Sequence, residues 1–368
     1  MKILYVTTIS STVNTFLIPH IKLLIEQGHQ VDVAFNIVQE VDPKLIKLGC
    51  KVHDIEFQRS PLDKRNYGAY KKLKRLIQDE NYEVIHTHTP VASVCTRLAC
   101  RKNENVKVFY TAHGFHFYTG APLINWLIYY PIEYWLAKYT DLLITINQED
   151  YMRAKRSFKA RKIEYVPGVG LDIQKYNGLS QSDKRHELGI PQDAFVLLAV
   201  GELNKNKNHE VIIRSMAKIN NPNLFFVICG QGLLEEPLKK LIFELGLEKR
   251  VKLLGFRKDI KEICNASDIF VFPSFREGLS VALMEAMASG LPVVCSKIRG
   301  NVDLNKDGEG GYLVDPKDVE GFTQAISSLS LNQQLREEMG NNNLRLIKNF
   351  ESKHINEKMR NIYTNELV

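Results

Sequence analysis

Short apolar runs alternate with segments carrying apolar residues at helical spacing along nearly the whole chain. Strands alternating with helices form βαβ units, and such units assemble into a parallel sheet covered by helices. The first unit reads as a strand at Lys2–Thr7, a helix at Phe16–Glu26 stopped by Gly28, and a strand at Gln30–Phe35. Further strands are expected at Lys51–Ile55, Val84–Thr87, Val106–Thr111 and Leu142–Ile146, with a basic helix at Tyr70–Gln78. A second series follows at Phe195–Val200, Leu224–Cys229, Val251–Leu254, Ile269–Val271 and Pro292–Cys295. Between the two series, Pro167–Lys184 is rich in Gly, Ser, Asp and Gln and reads as a linker. At 368 residues the chain exceeds one ordinary core. The fold class is therefore α/β with two Rossmann-like lobes, residues 1–170 and 171–350, and a cleft between them.

Charge and composition narrow the function classes. Through Lys175 there are 24 Lys and Arg against 17 Asp and Glu, so the whole excess of +7 lies in the first half. Such an offset attracts an anionic small molecule, an anionic membrane surface or nucleic acid. No nucleic-acid-binding module signature is present. The most apolar window, Leu123–Leu136, is interrupted by Asn125, Pro131 and Glu133, so no spanning helix is expected. The opening residues enter a strand directly and lack the pattern of a signal peptide, which points to the cytoplasm. The six cysteines form no C-x-x-C pair and read as reduced core thiols.

The segment from Ile269 to Val294 reads as strand, sharp loop, helix capped near Ser280 and ended by Gly290, then strand. The amides of Gly278, Leu279 and Ser280 then stand at a helix N-terminus on the C-terminal edge of a parallel sheet, where backbone dipoles favour a phosphate. Glu277 lies in the loop and Glu285 on the helix, among apolar neighbours that imply burial and hence a partner. A second phosphate element lies at Val200–Asn208, where Gly201, Lys205 and Lys207 follow a strand. Gly230-Gln231-Gly232 makes a glycine turn after the next strand.

Together these residues resemble the retaining glycosyltransferases of family 4 (group 1), which have the GT-B fold of two facing Rossmann-like domains. The resemblance is nearest to enzymes that build bacterial capsule or exopolysaccharide. Glu277 and Glu285 match the family's E-x7-E motif, the first near the donor sugar and the second on the nucleotide ribose. Lys207 matches the lysine of the diphosphate loop, whereas Glu202 stands where the family carries arginine, leaving Lys205 or Arg276 as substitutes. The resemblance implies a nucleotide-sugar donor, with UDP the expected nucleotide, bound by 171–350. It implies an acceptor bound by 1–170, a final helix at 351–368 packing back on the first domain, and no cofactor or protein-bound metal.

Histidines cluster in the first lobe, at His86 and His88 after one strand and at His113 and His116 after the next. Strand C-termini line the ligand edge of an open sheet. No Cys or carboxylate sits at zinc-ligand spacing beside them. His113 resembles the family's histidine that contacts donor sugar or acceptor, while His86, His88 and His116 are either acceptor-side candidates, with Asn14 in the loop after the first strand, or only local hydrogen-bonding groups. The segment Trp126–Trp135 crowds aromatics beside Lys71, Lys72, Lys74 and Arg75. It reads either as an interfacial helix on anionic lipid or as core packing. The expected reaction is sugar transfer, with retention, to a lipid-diphosphate-linked glycan at the inner face of the plasma membrane. A GT-B sugar-nucleotide epimerase or hydrolase and a non-catalytic partner of another transferase are the alternatives. A Rossmann dehydrogenase is disfavoured, because no G-x-G-x-x-G follows the first strand.

Overall fold

The structure, a computed structural model, describes residues 1–176 and 182–367, so part of the expected linker and the final Val368 lie outside the described residues. The chain divides into two compact units, Met1–Gly170 with Lys353–Val368, and Leu171–Ser352.

The first unit holds a parallel sheet of seven strands in the order β3-β2-β1-β4-β5-β6-β7. These are β1 (Lys2–Ile9), β2 (Gln30–Asn36), β3 (Val52–Asp54), β4 (Val84–His88), β5 (Lys107–Ala112), β6 (Leu142–Thr145) and β7 (Lys162–Tyr165). β1 and β4 are covered on both faces: β1 is apolar from Ile3 to Val6, whereas β4 buries His86, Thr87 and His88 along with Val84 and Ile85. From β1 the chain moves to β2 on one side and later returns to β4 on the other. The C-terminal ends of β1 and β4 therefore flank a topological switch point.

α1 (Ser10–Thr12) runs through a π-helical turn at Val13–Leu17 into α2 (Ile18–Glu26), so the expected loop after the first strand is helical from Ser10. α3 (Pro43–Lys47) follows β2, and α4 (Arg65–Asp79), α5 (Pro90–Cys100), α6 (Leu123–Ala137) and α7 (Gln148–Ser157) precede β4, β5, β6 and β7. One face of the sheet packs on α2 and on the chain's final helix, whose Ile355, Met359, Ile362 and Tyr363 join Ile3, Tyr5 and Val33 in one core. The other face packs on α4 and α5 through Leu73, Ile77, Ala92 and Cys95.

The second unit repeats the plan with six parallel strands in the order β10-β9-β8-β11-β12-β13. They are β8 (Phe195–Val200), β9 (Leu224–Cys229), β10 (Val251–Leu253), β11 (Ile269–Phe272), β12 (Val293–Ser296) and β13 (Gly311–Val314). The helices are α8 (Ser182–Glu187), α9 (His209–Lys218), α10 (Glu235–Glu244), α11 (Ile260–Asn265), α12 (Val281–Ala288), α13 (Asn301–Leu304), α14 (Val319–Leu331) and α15 (Gln333–Leu346). α16 (Ser352–Glu366) is the final helix described with the first unit. Here the switch point falls between β8 and β11, the strands that carry the two phosphate-type loops. All six cysteines are buried and free. Among the described residues no helix is long and apolar enough to cross a membrane.

Candidate active site

The loop after β8 is stitched to the loop after β11. Asn206 Nδ2 donates to the Arg276 carbonyl at 3.0 Å, and the Phe275 amide donates back to the Asn206 carbonyl at 2.8 Å. Asn208, left-handed at φ 54°, donates to the carbonyls of Pro273 at 3.1 Å and Pro316 at 2.7 Å. Asn tolerates that backbone region better than most residues. Between these anchors Lys207 turns back: its amide donates to Asn204 Oδ1, and its Nζ lies 2.7 Å from Glu277 Oε1 and 4.6 Å from the centre of the Phe272 ring.

The loops after β8 and β9 also touch. The Gly201 amide donates to the Cys229 carbonyl and the Leu203 amide to the Gln231 carbonyl, both at 2.9 Å. A Cβ on Gly230 would collide with the Gly201 carbonyl oxygen, so only glycine permits this approach.

Glu277 begins the turn into α12. Ser280 caps the helix, its Oγ accepting from the Leu283 amide at 3.3 Å. The amides of Gly278, Leu279 and Ser280 donate no hydrogen bond among the described residues, so they are available to an anion. Buried Arg299 fixes this turn by donating from Nε to the Glu277 carbonyl at 3.1 Å. Gly300, at φ 81°, packs against the Gly278 carbonyl where a Cβ has no room.

Glu285 lies on α12, largely enclosed, and accepts a 2.7 Å hydrogen bond from Tyr176 Oη on Oε1. Burial pushes its carboxyl above the usual range, and the Tyr176 hydroxyl partly opposes that rise. Tyr176, in a 3-10 turn at Ile173–Tyr176 inside the expected linker, is a site residue that sequence reasoning missed; Arg299 is another. A buried acid that needs a partner was the signal for the first, and an Arg-Gly pair in the loop after a strand for the second. Lys205 and Glu202 are exposed, and Lys205 and Arg276 make no ion pair among the described residues. The site brings together Lys207, Glu277 and the amides of 278–280, with Glu285 farther along the same helix.

In the first unit the histidines stack. His86 and His88 ring centres lie 4.3 Å apart, and His88 stacks on Tyr5 at 5.4 Å. His88 Nδ1 lies 3.1 Å from His113 Nε2. Burial pushes His113 and the neighbouring His20, which sequence reasoning missed, down to about 4, and His86 and His88 well below the ordinary value.

Two expectations are corrected. His86 faces no ligand: its Nδ1 meets Tyr363 Oη and its Nε2 meets Thr111 Oγ1, both at 2.8 Å, which ties α16 to the sheet. Asn14 lies in the π-helical turn, not a loop, and its amide is committed to the backbone of Glu40 at 2.9 Å and Asp42 at 3.1 Å. His116 is half-buried and stacks on Tyr129 at 4.5 Å. Thr89, between β4 and α5, is held at φ 67°, a region costly for a β-branched residue. Its hydroxyl bonds Thr8 Oγ1 at 2.7 Å across the switch point.

Two parallel Rossmann-like sheets, the second carrying a lysine, a carboxylate and a helix N-terminus at its switch point, define the GT-B class of nucleotide-sugar enzymes. Residues 2–147 match the family Glycosyl transferase 4-like and residues 180–345 the family Glycosyl transferases group 1. The provisionally named glycosyltransferase EpsD of Bacillus subtilis (strain 168) is 36% identical over 99% of this chain and 96% of its own. The UDP-Gal:alpha-D-GlcNAc-diphosphoundecaprenol alpha-1,3-galactosyltransferase of Escherichia coli is 31% identical over 83% of this chain and 82% of its own. Anabaena HepE, solved with UDP, superposes with a TM-score of 0.82 at 22% identity, covering 99% of this chain and all of that one. WaaG, a glycosyltransferase of lipopolysaccharide biosynthesis, gives 0.78 at 16% identity, covering 98% and 99%. The chain belongs to the group 1, family 4-like glycosyltransferases.

Proposed function

We propose that this glycosyltransferase moves a hexosyl or N-acetylhexosaminyl group from a UDP-sugar, with retention, to a glycan carried on a lipid diphosphate, in cell-surface polysaccharide synthesis. The observation that carries the reading is the Lys207–Glu277 pair at 2.7 Å, set at the head of a helix whose first amides are open. The E. coli relative is named for a UDP-sugar and a diphosphoundecaprenol acceptor, and HepE was solved with UDP and with UDP-glucose, which supports the same donor and acceptor classes here.

In this reading the bond from the anomeric carbon to the diphosphate oxygen breaks, and negative charge grows on the leaving UDP. Lys207 and the amides of Gly278 and Leu279 receive that charge, so no cofactor or protein-bound metal is required. Glu277 accepts from sugar hydroxyls and Glu285 from the ribose. The acceptor hydroxyl attacks from the face the UDP leaves, passing its proton to the departing phosphate oxygen. His113 contacts the reacting sugar, and the remaining acceptor-side histidine candidates are His88 and His116. The enzyme then works peripherally at the cytoplasmic face of the plasma membrane.

The test is nucleotide release from a panel of UDP- and GDP-sugars, with and without membrane lipid extract. Release confined to one UDP-sugar, dependent on lipid and abolished by Lys207→Ala, is expected. Release indifferent to lipid supports an epimerase or hydrolase instead.

A further inference from the structure

Helix α6 is built inside out. Its buried residues are Glu133, Leu136 and Ala137, while Leu123 is 80% exposed, Leu127 73%, Ile124 57% and Ile128 46%. Trp126 and Tyr130 pack against Phe117, so part of the aromatic segment is core, whereas Tyr134 and Trp135 face outward. The inward carboxylate is held by fully buried Arg97 of α5, through two hydrogen bonds of 2.8 and 3.0 Å. A water-facing helix does the reverse, turning carboxylates out and aliphatic residues in.

Between α5 and α6 runs a groove of about 510 Å³, within the size range of small-molecule sites. Its walls are mainly apolar, with Val91 and Val94 on α5, Ile128 and Ile132 on α6, and exposed Leu62; the Glu133 carboxylate also lines it, but is neutralised by Arg97. Its lining also reaches Thr8 and Thr89 at the switch point of the sheet. Arg59 lines it too, exposed and without an ion pair among the described residues. The groove thus combines a polar strand edge, an uncommitted cation and an apolar course alongside a helix whose aliphatic side chains face out. That is the chemistry of an amphiphile with an anionic head.

We propose that this groove holds the hydrocarbon chain of a membrane lipid phosphate, with the outward face of α6 seated in the bilayer that supplies it. The proposal deepens the lipid-linked acceptor reading above and rests on it for the identity of the occupant. Charge agrees, since the first half of the chain carries the entire +7 and α4, packed beside α5, presents Lys71, Lys72, Lys74 and Arg75.

The test uses the intact protein and n-alkyl phosphates from hexyl to decyl, each below its micelle concentration. The two tryptophans of the chain both lie in α6 and report binding by their emission. The dissociation constant is expected to tighten about fourfold per added methylene, the preference of a methylene for an apolar site. Ile128→Ser and Ile132→Ser, on half-exposed wall positions, and Val94→Phe, which fills the groove, are expected to flatten that slope. Equal affinity for hexyl and decyl phosphate overturns the proposal, and equal affinity for decanol and decyl phosphate overturns its anionic head. A lipid-free dimer that Leu123→Ser with Leu127→Ser dissociates assigns the face to a second copy and also overturns it. The readout needs no sugar transfer: chain-length dependence without donor turnover upholds the groove and counts against the transferase reading, and the converse removes only the groove.

Discussion

Lys207 Nζ sits 2.7 Å from Glu277 Oε1, across two loops that end different strands, and both side chains are largely buried. The pair holds a cation at the head of α12 before any ligand arrives. In the proposed reaction, removing Lys207 takes away the counter-charge for a leaving diphosphate and strands a largely buried carboxylate. Lys207→Ala is expected to lower kcat/KM for the donor by ~100-fold or more. Glu277→Gln should also impair transfer, and the double variant should lose less than the product of the two single effects, because each change damages the same pair. Steady-state nucleotide release on the four proteins checks this; independent, multiplicative losses would show that the two residues act separately.

Tyr176 and Glu285 make a second prediction. The tyrosine hydroxyl stabilises the ionised carboxylate against burial, which pushes the carboxyl up. Tyr176→Phe removes that bond, so the carboxyl rises further. In the proposed reading Glu285 receives the ribose, and only its ionised form accepts both hydroxyls of the diol, so UDP binding should weaken ~10-fold, the scale of a hydrogen bond to a charged group. The acid limb of the UDP affinity profile should move to higher pH. Calorimetric titration with UDP from pH 5 to 8 measures both. An unchanged profile means Tyr176 does not tune Glu285.

Sequence patterning carried far into this fold where strands buried on both faces are apolar throughout: β8 and β9 fall where the apolar runs lie, from Phe195 to Val200 and from Leu224 to Cys229. It missed β7 and β13, sheet-edge strands with half-buried side chains such as Lys162, Glu164 and Tyr312, where no apolar run marks the backbone. The stretch around Asn14 reads as a loop after the first strand, yet the chain turns straight into helix from Ser10, although Ser and Thr are residues that favour caps and turns. Within the site, Glu277 and Lys207 were legible because loop position after a strand places them. Tyr176 was not, since its partner stands 109 residues away and nothing local marks the pairing. His86 misled for a related reason: Tyr363, which claims its ring, lies 277 residues on.

The stacked histidines predict acid sensitivity. Burial holds His20 and His113 near 4 and His86 and His88 well below 6.5, so the fold refuses protons that the unfolded chain accepts. With folded values depressed below the unfolded one, the contribution is complete above about pH 6.5 and is lost as pH falls from there toward 4. Each histidine lowers the stability by at most about 1.4 kcal/mol per pH unit in that window. Urea unfolding of the first unit's signal at pH 7.5, 6 and 5 should give a steadily falling midpoint. His88→Gln should reduce the slope, since it removes one of the four groups. A midpoint flat from pH 7.5 to 5 would sink this account.

Arg97 and Glu133 bear on whether α6 presents its aliphatic face by design of the ion pair. The guanidinium is fully buried, grips the carboxylate with two bonds and lies 4.5 Å from the centre of the Tyr110 ring. Glu133→Leu leaves a buried, uncompensated cation and is expected to cost ~3–5 kcal/mol. Arg97→Met with Glu133→Leu restores an apolar contact of similar volume, so most of that loss should return. What should not return is the orientation of α6. With no polar residue to turn inward, the helix is free to roll and bury Leu127 or Ile128, and the emission of Trp135 should shift to shorter wavelength while the unfolding midpoint recovers. Recovery of both stability and the original emission would show that packing through Leu136 and Ala137 sets the helix face, with the ion pair incidental to it.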